Sequence, residues 1–303
     1  MDPNVISGPA VSVILPVYNG EGYIAEAVAS ILMQTFTDFE LIIINDGSSD
    51  NTADILSTFL SDERVSIISR ENKGLIYSLN EGINKARGKY IARMDADDYS
   101  YPNRLALQVD LMDKDELDIC GGHYLIIGKT DKFLGSVFLP TDLSAFQLYL
   151  SIMPPFAHGS VMFRKRFWIE NELKYGSVYK EAEDFSLWQE FYFKGARFGN
   201  VNEVIFKYRD HPASFSYRKM KAMMAEVKLL RRRFIRTSGI DYGQLYDGMS
   251  RKEELSFQEK EFLLLSAYVY LVVKKDLTFF RLLRRSGIDV FVKVLFKILS
   301  GRI

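Results

Sequence analysis

Lys89-Tyr90-Ile91-Ala92-Arg93-Met94-Asp95-Ala96-Asp97-Asp98 is a strand-like run that passes straight into three carboxylates within four positions. Like charges this close repel one another unless a cation or hydrogen bonds compensate. A hard divalent cation such as Mg²⁺ or Mn²⁺ would do so, since these ions are usually held by one or two carboxylates plus substrate phosphates. The alternative is a solvated acidic turn capping a helix that starts near Pro102.

Upstream, short β-branched runs alternate with helix-period segments. Val11–Leu15, Phe39–Asn45 and Val65–Ile68 read as buried strands. Ile24, Ala27, Val28, Ile31 and Leu32 fall at the spacing of one helix face. Asp50 is placed to cap a helix running to about Leu60, and Leu75–Ala86 forms another, ended by Gly88. This alternation predicts an α/β fold, a mainly parallel central sheet flanked by helices. Ligands of such sheets bind beyond the carboxyl ends of the strands. Those positions are polar here: Pro16-Val17-Tyr18-Asn19, Asp46-Gly47-Ser48-Ser49-Asp50 and the acidic run after Met94 share one rim.

Downstream, a helix follows Arg104, then Asp118–Ile127 and Phe133–Phe138 read as a hairpin turned through Gly128 and Asp131. Ala182–Lys194 is helical, with Phe185, Trp188, Gln189 and Tyr192 along one side, and a strand follows near Val204–Tyr208. After Ser216 four helical segments carry basic clusters, including Arg231–Arg233 and Arg284–Arg285. The expected division is a catalytic domain over 10–216 and an α-helical C-terminal region over 217–303.

The 303 residues are 48% hydrophobic, enough for a sizeable core. Their 39 basic and 39 acidic residues give no reason to expect nucleic acid as a partner. The single cysteine, Cys120, excludes an internal disulfide and suits a reducing compartment. Met1–Ala10 carries Asp2 and no long apolar stretch, so no secretory signal is expected. The longest apolar run, Phe262–Val273, is broken by Ser266 and is shorter than the roughly 20 residues a bilayer span needs. Gly128-Lys129-Thr130 resembles the end of a phosphate-binding loop, but His123 stands where its first glycine should be. A Gly-x-Gly-x-x-Gly after the first strand is also missing, which argues against a dehydrogenase.

Taken in order, Pro16-Val17-Tyr18-Asn19, Asn45-Asp46-Gly47-Ser48-Ser49-Asp50, Asn72-Lys73-Gly74, Asn80-Glu81-Gly82, Ala86-Arg87-Gly88, Asp95-Ala96-Asp97-Asp98, Glu181-Ala182-Glu183-Asp184-Phe185-Ser186-Leu187-Trp188 and Tyr208-Arg209-Asp210-His211 resemble the family 2 glycosyltransferases over residues 10–217. The resemblance implies the GT-A nucleotide-sugar fold and an inverting, metal-dependent transfer from a nucleotide-sugar, normally a UDP-sugar, to an acceptor hydroxyl. It implies nucleotide contacts from Pro16, Val17, Tyr18, Asn19, Asp46, Lys73, Gly74 and Asp95, with Asp46 accepting hydrogen bonds from the base and Asp95 meeting the ribose. Asp97 and His211 would hold Mn²⁺ or Mg²⁺ at the diphosphate, His211 being otherwise a core histidine. Asp184 would be the general base beside Glu183, or simply an N-cap. His158 and Trp188 are the candidates for the acceptor side, Trp188 otherwise packing beneath the site.

The tail is basic, with eight Lys or Arg against two Asp from Lys274 to Ile303. Ile288, Phe291, Val292, Leu295, Phe296 and Leu299 fall on one helical side and Lys293 and Lys297 off it. Such a helix could lie on an anionic membrane surface, pack on the catalytic domain, or meet a second copy in a homodimer. A membrane-bound enzyme on the cytoplasmic face would take a lipid-linked saccharide as acceptor, in cell-surface polysaccharide synthesis. Two other readings stand beside this one: a catalytically inactive nucleotide-binding scaffold of a membrane complex, and a nucleotidyltransferase releasing pyrophosphate.

Overall fold

The computed structural model describes residues 8–176, 178–211 and 215–250. The first half is a parallel sheet in the order β3-β2-β1-β4, made of β1 (Val11–Val17), β2 (Phe39–Asn45), β3 (Val65–Ser69) and β4 (Tyr90–Arg93). Every residue of β1 and β2 is buried. A strand covered on both faces has no polar side to alternate with, which explains runs that are apolar apart from Ser12 and Glu40, bonded to each other at 2.6 Å, and Asn45 at the end of β2. The crossovers carry α1 (Ile24–Leu32), α2 (Thr52–Ser57) and α3 (Leu75–Lys85). Helix α1 buries Ile24, Ala27, Val28 and Ile31, the face its spacing predicts. Helix α2 ends at Ser57, short of the expected Leu60. Asn51 takes its N-cap position, while Asp50 Oδ1 accepts the Thr52 N–H at 3.1 Å. Helix α3 lies so near the sheet that a Cβ on Gly82 would meet Ile14 Cγ2 at 2.5 Å.

The sheet continues as β4-β8-β6-β9-β5 through β5 (Tyr99–Ser100), β6 (Ile119–Gly128), β8 (Met162–Arg164) and β9 (Phe198–Asp210). Strand β8 runs antiparallel to both neighbours, while β6 and β9 are parallel over most of their length. The predicted hairpin forms as β7 (Phe133–Val137) on β6, turned through Asp131 at φ 59°. Helices α4 (Arg104–Lys114), α6 (Lys165–Glu170) and α7 (Glu183–Phe193) complete this part. His158 opens a 3-10 turn over His158–Ser160, just before β8.

Among the described residues the chain divides into two compact units, one within 8–141 and 156–223, the other within 142–155 and 224–250. The second holds α5 (Leu143–Ile152), the end of α8 (Phe215–Thr237) and α9 (Tyr242–Ser250). Residue 217 lies inside α8. The run Phe262–Val273, Arg284–Arg285 and the amphipathic segment 286–303 lie outside the described residues. Among the described residues no helix is long and apolar enough to cross a membrane.

Candidate active site

The site is built on the carboxyl ends of β1, β2 and β4, all in the first unit. The loops after β1 and β2 are bound to each other. Asn19, at φ 52°, donates its N–H to Ser48 Oγ at 3.0 Å and accepts Ser49 N–H at 2.8 Å, and Gly20 N–H reaches Thr52 Oγ1 at 2.9 Å. Tyr18 is 54% exposed, whereas Pro16 and Val17 are enclosed. Of these three expected nucleotide contacts, Tyr18 alone exposes its side chain. A strand sealed on both faces leaves the other two only their backbone.

Asp46 is buried and faces its own chain. Its Oδ1 accepts Lys73 N–H at 2.8 Å, its Oδ2 accepts Gly74 N–H at 2.9 Å, and Arg70 pairs with it. A carboxylate offers about four acceptor positions, so one remains on Oδ2 for a ligand. Arg70 also donates to Glu81 at 2.7 Å and to Ser78 Oγ at 2.9 Å, while the Lys73 side chain stays partly exposed. The Asn80-Glu81-Gly82 motif thus serves structure: Glu81 neutralises Arg70, and Asn80 brackets the Tyr175 backbone with two 3.0 Å bonds.

The three acids after β4 have three different environments. Asp95 pairs with the buried Arg93. Asp97 is partly exposed, its Oδ2 lying 3.0 Å from His211 Nε2. Asp98 is buried, with Oδ1 accepting the Arg209 backbone N–H at 2.7 Å and Oδ2 lacking a hydrogen-bond partner among the described residues. Burial and the neighbouring acid charges push the carboxyls of Asp95 and Asp98 above the usual range, Asp98 the further. Gly159 closes this corner, because a Cβ there would stand 2.5 Å from Phe206 Cζ and 2.7 Å from Asp95 Oδ2. Helix α4 fixes the corner from below. Arg104 donates to the Arg93 carbonyl at 2.7 Å and Gln108 to the Ser160 carbonyl at 2.8 Å.

Glu183 and Asp184 form the first turn of α7. Ala182 holds the N-cap position, so neither acid is the cap. Asp184 accepts Phe185 N–H at 2.6 Å, and burial pushes its carboxyl up to about 6. Glu183, under burial and then the charge of Asp184, is pushed up to about 8. The positive charge of Arg93 opposes the upward push of burial on Asp95, Asp98, Glu183 and Asp184 alike. His158 lies 2.9 Å from the Tyr175 hydroxyl and 3.8 Å from Glu183, and burial, with Arg93 nearby, pushes it well below the ordinary histidine range. Trp188 is fully enclosed, packed on Phe156, His158 and Phe191. The acceptor role considered for it is corrected to packing, because no acceptor can reach its ring.

The sequence profile of glycosyl transferase family 2 matches residues 12–170. The chain belongs to this family. It is 36% identical over 224 residues to the putative glycosyltransferase EpsE of Bacillus subtilis strain 168, covering 70% of this chain and 77% of EpsE. It is 32% identical over 208 residues to the O-antigen biosynthesis glycosyltransferase WbnJ of Escherichia coli, covering 67% of this chain and 81% of WbnJ. Among solved structures, S. aureus TarS 1–349 in complex with UDP superposes with a TM-score of 0.59 at 19% identity, over 96% of this chain and 91% of that one. That likeness shows the GT-A type of fold.

The geometry of this family 2 glycosyltransferase can be tested against the divalent cation such enzymes commonly use. Asp97 Oδ2 and His211 Nε2 are 3.0 Å apart. Two adjacent ligands of an octahedral ion, each at about 2.1 Å, would be separated by roughly 3 Å. Among the described residues no three His, Cys, Asp or Glu side chains enclose a cation. The protein would therefore supply two ligands and leave the remaining positions to a diphosphate and water, and the residues present fit the ion on those terms.

Four residues of the site had no role assigned from sequence: Arg70, Arg93, Tyr175 and Arg209, the last inside the quoted Tyr208–His211 motif. For Arg93 a signal existed. It is a cation in an apolar strand two residues before Asp95, and side chains two apart share a strand face.

Proposed function

We propose that this glycosyltransferase moves a sugar from a UDP-sugar to a hydroxyl of a saccharide or lipid-linked saccharide, with inversion at the anomeric carbon. The observation that carries this reading is the divergence of two adjacent carboxyls. Burial pushes both carboxyls up, Glu183 to about 8 and Asp184 to about 6, so Asp184 is the member of the pair that ionises first. Titratable neighbours whose environments drive them apart mark acid and base roles. Asp184 takes the proton of the acceptor hydroxyl as the acceptor oxygen bonds to the anomeric carbon and the bond to the diphosphate oxygen breaks. Glu183, neutral, adds no second charge against the incoming oxygen.

On the donor side, Tyr18 offers an exposed ring to the base, Asp46 its remaining lone pair, and Asp95 a carboxylate oriented by Arg93 toward the ribose. Asp97 and His211 would hold Mn²⁺ or Mg²⁺, whose charge favours departure of the diphosphate. UDP in the TarS complex supports the choice of base, and the biosynthetic role in WbnJ's name supports a polysaccharide acceptor. The basic C-terminal segment supports peripheral attachment at the cytoplasmic membrane face.

The test is release of nucleoside diphosphate from a panel of nucleotide sugars with and without Mn²⁺, alongside nucleotide binding, for the intact chain, Asp97→Ala and Asp184→Asn. Metal-dependent release of one donor, lost in Asp97→Ala, is expected. Silence across the panel together with absent metal-dependent nucleotide binding would refute the reading.

A further inference from the structure

We propose that Arg209 is a positioning residue of the donor site, holding the Asp97 peptide and the His211 ring in register, and that the β6–β7 hairpin takes part through Asp131. The inference rests on the reading of Asp97 and His211 as cation ligands.

Arg209 is 2% exposed, among the most enclosed large side chains in the protein. Its Nε donates to the Asp97 carbonyl at 2.8 Å, Nη1 to Asp131 Oδ1 at 2.5 Å and Nη2 to Glu26 Oε2 at 2.7 Å. Its backbone N–H is the donor that holds Asp98 Oδ1. The guanidinium carbon stands 4.8 Å over the Tyr23 ring, and the centroid of that ring is 5.2 Å from that of His211. One side chain thus fixes the Asp97 peptide directly and supports the His211 ring through Tyr23, while its backbone, two residues before His211, is tied to Asp98.

The chemistry of the side chain explains the choice. A planar guanidinium with five donors can reach a carbonyl and two carboxylates in different directions while presenting a flat face to an aromatic ring. A lysine ammonium, a point charge on a flexible stem, cannot hold that set. Burying a lone cation would be costly, and removing one partner of a buried pair leaves the other charge uncompensated. Glu26 and Asp131 supply the compensation. They sit on α1 and the hairpin turn, so neither belongs to the acidic run itself. This arrangement makes the hairpin tip, set at φ 59° at Asp131, part of the donor site's support. Partners behind metal ligands typically change metal affinity 10–100-fold when removed.

The experiment is titration of Mn²⁺ in the presence of UDP, following the paramagnetic resonance signal of free Mn²⁺, with UDP binding in metal-free buffer measured in parallel. Arg209→Lys is expected to weaken Mn²⁺ binding 10–100-fold while leaving metal-free UDP affinity unchanged. Asp131→Asn and Glu26→Gln should each weaken it less, and the two combined should approach the Arg209→Lys value. These two carboxylates are 62% and 44% exposed, so their variants test the idea even where Arg209→Lys does not fold. Loss of Mn²⁺ binding in Asp97→Ala with full affinity in the carboxylate double variant would overturn the positioning role alone. Unchanged binding in Asp97→Ala would overturn the ligand assignment beneath it, and the role with it.

Discussion

Replacing Glu183 by glutamine should make the protein more stable, by an amount that grows with pH. Glu183 is buried, and its carboxyl is raised from 4.5 to about 8 by burial first and by Asp184 second. An acid whose folded pKa is raised binds its proton more tightly in the folded state, so stability is fully present below 4.5 and is lost as pH rises through about 8. At about 1.36 kcal/mol per pH unit, the loss integrates to roughly 3 kcal/mol at pH 7 and about 5 kcal/mol at pH 9. The amide introduced by Glu183→Gln has the shape of the neutral acid and does not titrate, so the variant escapes this loss. The assay is urea unfolding at pH 5, 7 and 9, followed by the emission of Trp168 and Trp188, the protein's two tryptophans. Both chains should have similar midpoints at pH 5, and the variant the higher one at pH 9. In an Asp184→Asn background the pH dependence should flatten, because one source of the push is gone. A stability difference independent of pH, or a variant weaker than the parent at pH 9, would refute the burial argument.

Asp184→Asn should lower kcat by about 10²–10⁴-fold while nucleotide affinity stays within twofold. The parent's kcat/KM should fall as pH drops below about 6, where Asp184 gains its proton, and a rate profile flat from pH 5 to 8 would contradict the assignment. Gly159→Ala puts a methyl group 2.5 Å from Phe206 and 2.7 Å from Asp95. It should cost about 1–3 kcal/mol of stability and raise the donor KM, measured by thermal unfolding and initial rates. Cys120 is fully buried, and burial pushes its thiol up to about 12. A thiol-reactive dye should leave it unmodified in the folded protein and label it only in denaturant, so stoichiometric labelling without denaturant would contradict its placement.

The parallel half of the fold was legible because each of its features is local. A strand covered on both faces is mostly apolar, and a helix on that sheet repeats its apolar residues at 3.6. Val11–Val17 and α1 follow these rules closely, the buried Ser12 of β1 being matched by its bond to Glu40. The place of the acidic run was legible for the same reason, since carboxylates that immediately follow a buried strand can only stand on its carboxyl edge. What local pattern cannot supply is strand order. The sequence places Asp97 and Arg209 far apart, and nothing in either segment says that β9 will bring Arg209 onto the Asp97 carbonyl. Likewise Tyr175 reaches His158 with its backbone held by Asn80, on α3, and its ring against Trp168.

Helix register set the other limit. The sequence left Asp184 open as an N-cap, but the cap falls at Ala182, two residues earlier than that alternative requires. A shift of one or two residues is within the usual uncertainty of a helix start. Here it decides what the side chain binds. As a cap, Asp184 would spend its oxygens on backbone N–H groups two or three residues ahead and sit at low pKa. Inside the first turn it accepts its neighbour's N–H at 2.6 Å and is raised to about 6, the range that the proposed role of proton acceptor requires.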